Sequence, residues 1–238
     1  MGQELVALRA KLEQQAEAAA ARLPAPAGDW LSTKAGVLSF HDQAMPGNQV
    51  CVVIVDSIFE NGWYKDKFIP GVKAVPTCYA IAREVLDLAP HPSMQAFPEV
   101  FEPQHDECQG CPKNEWGTAD IGRGKACKNG VRLAMVPAGF YEPPKRGSRD
   151  CGDAQIYTDA KEYLDADLIF MKLPPTSIKI WAKYVNDLMA GHRLPPHGVI
   201  TRVYLEPHEN DQFNVKFEMI ETVSDDLRPV VMQRNEEA

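Results

Sequence analysis

The stretch CQGCPKNEWGTADIGRGKAC, residues 108–127, decides how the middle of this chain folds. Cys108 and Cys111 are separated by two residues, a spacing that points two sulfurs at one ion, and Cys127 follows after fifteen more residues. The stretch contains four glycines and one proline but almost nothing apolar enough to form a core. Because burial cannot stabilise such a loop, it needs a cross-link, and a zinc ion with thiolate ligands supplies one.

A structural zinc site needs a fourth ligand beyond these three cysteines. Cys78, His105 and Cys151 compete for that position, and His91 is a weaker candidate. Spacing alone does not choose among them, since ligands from distant segments are common, although Cys78 is favoured over His105. Cys51 lies inside an apolar run, which predicts a core thiol.

The composition is that of an ordinary globular protein. The 238 residues are 45% hydrophobic and 24% charged, with a net charge of -8, and they could form one large domain or two small ones. No apolar run reaches the roughly 18 residues of a membrane span, and residues 1–27 lack the pattern of a signal peptide. We therefore predict a cytoplasmic protein without membrane contacts. Six cysteines are too few for a disulfide scaffold and favour metal binding in a reducing compartment.

The charge is distributed unevenly along the chain. Residues 111–149 contain eight basic and three acidic residues, a net charge of +5, whereas residues 206–238 contain three basic and nine acidic ones, a net charge of -6. The overall negative charge argues against a protein that coats duplex DNA through bulk positive charge. This uneven charge distribution indicates a basic loop region followed by an acidic C-terminal part.

The hydrophobic pattern predicts a mainly β (α+β) fold. Val50 to Val55 is a continuous apolar run typical of a buried strand, and Asn61-Gly62 predicts a turn. Further strands are predicted at 131–136 and 167–172, and a hairpin at 199–205 and 213–220. We expect an OB-like antiparallel β-barrel over residues 28–224, with a zinc-binding insertion at about 76–130, an N-terminal helix within 1–27 and a polar, acidic, loose C-terminal tail over 225–238.

One helix is predicted to pack on the barrel. Residues 177–190 have apolar residues at helical spacing, with Trp181 on the apolar face and therefore in the core. Thr176 or Ser177 is the expected N-cap, and Gly191 the expected stop.

The motifs of catalytic sites are missing from the sequence. His105-Asp106-Glu107 has the H-x-E form of a zinc deaminase, but it adjoins Cys108 directly and lacks the partner motif downstream. The sequence contains no H-E-x-x-H, no P-loop and no nucleophile elbow. We predict that the protein is not an enzyme.

The run C-x-x-C-P-x-N-x-W-G-T followed by G-R-G-K-A-C resembles a group of bacteriophage and prophage proteins that are associated with single-stranded DNA binding in replication modules. The resemblance covers roughly Val50 to Ile220. In that group's pattern a cysteine after a proline accompanies the later three, which implies Cys78 as the fourth zinc ligand. Residues 141–165 and the N-terminal helix depart from the pattern.

Basic and aromatic residues alternate in several segments, as expected for a protein that binds single strands, because phosphates attract cations and every base offers a stacking face. The candidate DNA contacts are Trp63, Tyr64, Lys65, Lys67, Lys113, Trp116, Arg123, Lys125, Lys128 and Arg132.

The leading prediction is a zinc-containing single-stranded DNA-binding protein of a phage replication or recombination module. Its acidic C-terminal part could compete with DNA for the basic groove or recruit replication proteins, and its N-terminal helix could pair with a second copy. The alternative is a zinc-stabilised module for protein interaction or phage assembly that does not bind DNA. The overall acidic charge favours this alternative.

Overall fold

A computed structural model describes residues 29–66, 74–120, 122–145, 151–209 and 212–238. The predicted N-terminal helix and Lys67 lie outside these ranges. The strands are β1 (Asp29–Ser32), β2 (Ser39–Phe40), β3 (Gln43–Ala44), β4 (Gln49–Trp63), β5 (Cys78–Ala82), β6 (Lys128–Phe140), β7 (Gln155–Ile156), β8 (Ile169–Leu173), β9 (Val199–His208) and β10 (Gln212–Thr222). The α-helices of these ranges are α1 (Ala160–Leu164), α2 (Pro175–His192) and α3 (Arg228–Glu237).

All ten strands belong to one sheet, in the order β10-β9-β4-β6-β8-β1-β2-β3, with β5 added beside β4 and β7 beside β6. The long strand β4 lies at its centre. One edge of β4 pairs with β6, while the other pairs first with β9 and then with β5. The predicted hairpin is confirmed as β9 and β10. The sheet is mixed and not purely antiparallel, because β1 runs parallel to β8.

Two irregularities in the β4–β6 pairing curl the sheet. The register shifts between Cys51 and Val52 and again between Ile54 and Asp56. A bulge of this kind bends its strand and increases the local twist. The result is a mainly β fold, as the hydrophobic pattern predicted. Its sheet is curled and mixed, in place of the purely antiparallel barrel that the sequence suggested.

The apolar run in β4 is buried on both faces of the sheet. Val50, Val52 and Ile54 belong to a core covered by α2, whose Trp181 is buried there as predicted. Cys51, Val53 and Val55 face a second core, which confirms Cys51 as a core thiol. Helices α1 and α3 contribute to that second core. This two-sided burial explains why the run shows no alternation of apolar and polar residues.

Asn61-Gly62 was predicted to form a turn, and this prediction is wrong. Both residues lie inside β4, where Asn61 pairs with Ala80 of β5 on one side and with Asn129 of β6 on the other. Neighbours on both edges supply the backbone hydrogen bonds that keep the strand extended through Trp63. The consequence is that β4 reaches from the main core to the cysteine loop.

The C-terminal residues are not a loose tail, as the sequence suggested. They form α3, where Val231 is 2% exposed in the second core. Arg234 donates to the Ala166 carbonyl at 2.7 Å, and Asn235 donates to the Val55 carbonyl of β4. Leu227 at the N-cap and Val230 within the helix also pack in the second core, so a few apolar side chains hold this mostly polar segment.

Helix α2 is confirmed, but both of its predicted ends are wrong. It starts at Pro175 after Pro174 at the N-cap, and no side chain caps it. Ser177 is buried and accepts a hydrogen bond from the Val215 amide of β10 at 2.9 Å. The helix runs past Gly191 and ends where Arg193 adopts a left-handed conformation, with φ of 56°. Across the described ranges, no helix combines the length and apolarity needed to cross a bilayer.

Candidate metal centre and nucleic-acid interface

Backbone hydrogen bonds shape the cysteine loop, both within it and to the segment that precedes it. The Cys127 amide donates to the Lys113 carbonyl at 2.7 Å, and the Cys108 amide donates to the Leu88 carbonyl at 2.8 Å. Gly117 has a φ of 86°, a left-handed conformation that disfavours other residues, and its amide donates to the Gly124 carbonyl at 3.0 Å. These bonds fold residues 108–127 back on themselves and bring both ends to the same place.

Four cysteines from three segments line one pocket. Cys78 begins β5, Cys127 immediately precedes β6, and Cys108 and Cys111 come from the loop. Cys111 and Cys127 are buried, and the other two are partly buried. All four are free thiols. The structure therefore brings together the four residues predicted as zinc ligands.

The other candidates for the fourth ligand are placed differently. His105 also lines the pocket, but it is exposed and its Nδ1 lies 3.0 Å from the Glu107 carbonyl and 3.2 Å from the Glu107 amide. Cys151 lies beside Gly47 and packs on the second core. His91 contacts Ser93 through Nδ1 at 2.8 Å. Cys78 remains the best-placed fourth ligand.

The protonation of the thiols reflects their burial and crowding. Burial raises the pKa of Cys127 to about 12, with Cys108, Cys78 and Cys111 adding to the rise and Lys125 opposing it. Burial also raises the pKa of Cys78 and Cys108, while the Gln104 backbone opposes the rise at Cys78 and the Asn61 side chain opposes it at Cys108. Several thiolates this close repel one another unless a cation lies between them. A divalent metal ion would lower the pKa values of these cysteines and favour their thiolate forms.

The sulfurs share a pocket but do not form a ready-made coordination sphere. Among the described residues, no group of three or more His, Cys, Asp or Glu side chains is arranged to hold a metal ion. Tetrahedral zinc requires sulfurs about 3.8 Å apart, as follows from a Zn–S bond of about 2.3 Å. Neutral thiols have little reason to adopt that spacing without an ion between them. The donor chemistry of four cysteines fits zinc, so the metal stands as a proposal.

Aromatic and basic side chains lie on the cysteine loop and at the end of β4, some exposed and some half-buried. Trp116 is 77% exposed on the loop, with the Lys125 Nζ 5.9 Å from its ring centroid. Trp63 ends β4 and has the Lys113 Nζ 4.9 Å from its ring centroid. Tyr64 follows at the surface. These two cation–aromatic pairs form the surface that we call the loop lobe, together with the exposed Arg123 and Lys128.

Two of the predicted DNA contacts are already paired. Arg132 lies 2.7 Å from Glu60 and 5.1 Å from the ring centroid of Trp30. It alternates along β6 with Val131 of the main core, so it projects from the opposite face of the sheet. Lys65 lies 3.4 Å from Glu102 at the surface. Arg132 is therefore a weaker candidate for phosphate binding than the lysines of the loop lobe.

The sequence did not indicate two features of this region. Trp30 stacks with Arg132, although it lies far from the aromatic-basic segments of the sequence. Three asparagines, Asn61, Asn114 and Asn129, are hydrogen-bonded together beside the pocket. Their spacing in the chain carries no recognisable motif, because β4, the loop and β6 each supply one.

Neither the protein-family models, nor the curated proteins, nor the solved structures include a match to this chain. The proposals below therefore rest on the geometry described above and on the resemblance of the cysteine motif.

Proposed function

We propose that this protein binds single-stranded DNA through the loop lobe, without catalysing a reaction, and that zinc held by Cys78, Cys108, Cys111 and Cys127 stabilises the lobe. The observation that carries the proposal is that four cysteines line one pocket at the loop that carries the exposed Trp116, whose ring centroid lies 5.9 Å from the Lys125 Nζ. Zinc, when bound, would supply a tetrahedral cross-link for a loop with almost no core of its own. The curled sheet would serve as an OB-like platform in a phage replication or recombination module.

The residues of the lobe have distinct roles in this proposal. Trp116 offers a face for a base to stack on, because its ring is exposed and lies on a turn. Tyr64 and Trp63 extend the stacking surface along the end of β4. Lys113 and Lys125 place positive charge beside the rings, and Arg123 and Lys128 add phosphate contacts at the rim. Such a surface reads no base edges, so binding should tolerate any sequence.

The proposal is tested by fluorescence polarisation with labelled oligo-dT and with a duplex of equal length. We expect tighter binding of the single strand than of the duplex, with affinity falling as salt rises. Equal affinity for both forms would contradict single-strand recognition. The reducing cytoplasm suits this function, because the metal ligands must stay reduced.

A second candidate function is a zinc-stabilised interaction or assembly module. The specific observation in its favour is a set of exposed apolar side chains within residues 75–100, the segment that precedes the cysteine loop, on an acidic protein. These residues are Val75, Val85, Leu86, Phe97 and Val100. Under this alternative, Leu86→Asp would abolish capture of a phage replication protein while oligo-dT binding would be absent from the outset.

A further inference from the structure

Three asparagines form a hydrogen-bonded chain between the loop lobe and the cysteine pocket. The Asn129 Nδ2 lies 2.5 Å from the Asn61 Oδ1 and 3.0 Å from the Asn114 Oδ1. The Lys125 Nζ lies 3.2 Å from the same oxygen of Asn114. The chain thus starts at a lysine of the lobe and ends at Asn61, which lines the pocket.

The charge of Lys125 fixes the direction of every bond in this chain. An ammonium group can only donate, so the atom of Asn114 that faces it must be the oxygen. The Asn114 Nδ2 then donates to the Cys108 carbonyl at 2.9 Å, an atom that can only accept. Asn129 must present its Nδ2 to Asn114, and the second proton of that nitrogen points at the Asn61 oxygen. The Asn61 Nδ2 therefore points away from the other two asparagines.

The Asn61 amide nitrogen is buried beside a sulfur. Asn61 is 6% exposed, and its Nδ2 has no hydrogen-bond partner among the residues that the structure describes. Its side chain contacts Cys108, and both residues line the cysteine pocket. A buried N–H without an acceptor is destabilising, because it has lost its hydrogen bond to water and gained none in return. A thiolate at Cys108 would be such an acceptor, and metal binding requires the thiolate.

We infer that Asn61 is a positioning residue that donates an N–H···S hydrogen bond to the metal-bound Cys108 thiolate, with Asn129, Asn114 and Lys125 fixing its orientation. The inference rests on the metal site of the proposed function. It has a consequence for DNA binding, because Lys125 is also a proposed phosphate contact. Metal binding and DNA binding should therefore influence each other, and by equal factors.

The test uses Asn61→Asp and Asn61→Leu in the full chain, loaded with zinc or with Co(II) as a spectroscopic substitute. Aspartate keeps the shape but replaces the donor with a negative acceptor beside the thiolate, and leucine removes the donor at similar volume. Outer hydrogen-bond partners of metal ligands typically contribute 10–100-fold to affinity. We expect zinc affinity, measured by competition with a chromophoric chelator, to fall by about that factor, and the thiolate-to-Co(II) absorption bands to shift.

Asn214→Leu is the matched control, because Asn214 is an equally buried asparagine in β10, outside the pocket. It should lower the Tm but leave zinc affinity and the Co(II) bands unchanged. If N61D does not fold, the zinc affinity and the Co(II) absorption bands of N61L test the inference in its place. Wild-type protein that binds neither metal overturns the proposed metal site. Wild-type protein with thiolate-to-Co(II) bands that neither Asn61 variant alters overturns this inference alone.

Discussion

At the scale of single residues, the cysteines divide into two groups by their surroundings. Cys78 shares a pocket with the three cysteines of the loop motif, whereas Cys151 packs on the second core with Cys51. Six thiols of similar chemistry are thus separated by the fold alone. The difference gives a direct test of the ligand set.

We predict that Cys78→Ser lowers zinc affinity by more than about 100-fold, because it removes one of four thiolate ligands. Cys151→Ser and His105→Gln should keep the wild-type zinc content. The measurement is zinc per chain by elemental analysis after dialysis against a weak chelator. If H105Q lost zinc and C78S retained it, His105 would be the fourth ligand and Cys78 would not.

We predict that Trp116→Ala weakens oligo-dT binding by about 1–3 kcal/mol, the range found for stacking of one base on an aromatic ring. Its ring is so exposed that the Tm should not change. Phe140→Ala is the control, because Phe140 is also exposed but lies at the far end of β6. Unchanged affinity in W116A would remove this residue from the interface.

His197 gives the fold a pH dependence with a defined sign. Burial lowers the pKa of His197 below its usual 6.5, partly opposed by Asp56. The unfolded chain therefore binds a proton more readily than the native one, so the stability contributed by neutral His197 is lost as pH falls through about 6.5. In urea unfolding at pH 8 and pH 5.5, His197→Gln should show a smaller loss of stability than wild type. The exposed His192→Gln is the control and should behave as wild type.

At the scale of elements, the polar helix α3 is held by a few apolar side chains, and Val231 is the buried residue among them within the helix. We predict that Val231→Ala lowers the free energy of unfolding by about 2 kcal/mol, since it removes two buried methyl groups and leaves a cavity. Met232→Ala, on the exposed side of the same helix, should change stability little. Chemical denaturation measures both. If V231A were as stable as wild type, the C-terminal residues would not pack on the core and would be the loose tail that the sequence suggested.

The elements that sequence patterns predicted well were those with strong local signals. The β4 run is apolar without interruption, and the α2 pattern repeats at helical spacing over four turns. The prediction of a turn at Asn61-Gly62 was wrong because pairing with β5 and β6 overrode the local turn preference of these two residues. The spacing of the cysteines did not choose among Cys78, His105 and Cys151, and it was the resemblance of the motif that implied Cys78, which lies in one pocket with the loop cysteines. The asparagine chain was not, because its members meet only after three segments have folded together.

At the scale of the whole molecule, four of the nine acidic residues in the C-terminal part form ion pairs within the chain. Glu206 pairs with Lys216, Glu218 with Arg202, Asp225 with Arg228, and Glu237 with Arg234. Removing the residues after Ser224 would therefore delete a packed helix as well as charge. This geometry weakens the idea that the segment competes freely with DNA for the basic lobe.

We predict that the affinity for single strands falls as salt rises, with a slope of log Kobs against log salt concentration of about -3. This value assumes that each basic residue of the loop lobe neutralises one phosphate; these residues are Lys113, Arg123, Lys125 and Lys128. Polarisation titrations over several salt concentrations measure the slope. Lys125→Met should reduce its size by about 0.7, whereas Lys183→Met, on α2 and paired with Asp187, should leave it unchanged. A slope near zero would contradict phosphate binding by the lobe.

The proposed metal site joins four thiols that are distant in sequence around one ion, which shapes the loop lobe. X-ray absorption at the zinc edge, on protein purified under reducing conditions, measures the number and kind of these ligands. We expect one zinc per chain, surrounded by four sulfurs at about 2.3 Å. Protein without zinc, or zinc surrounded mainly by oxygen and nitrogen, would contradict it.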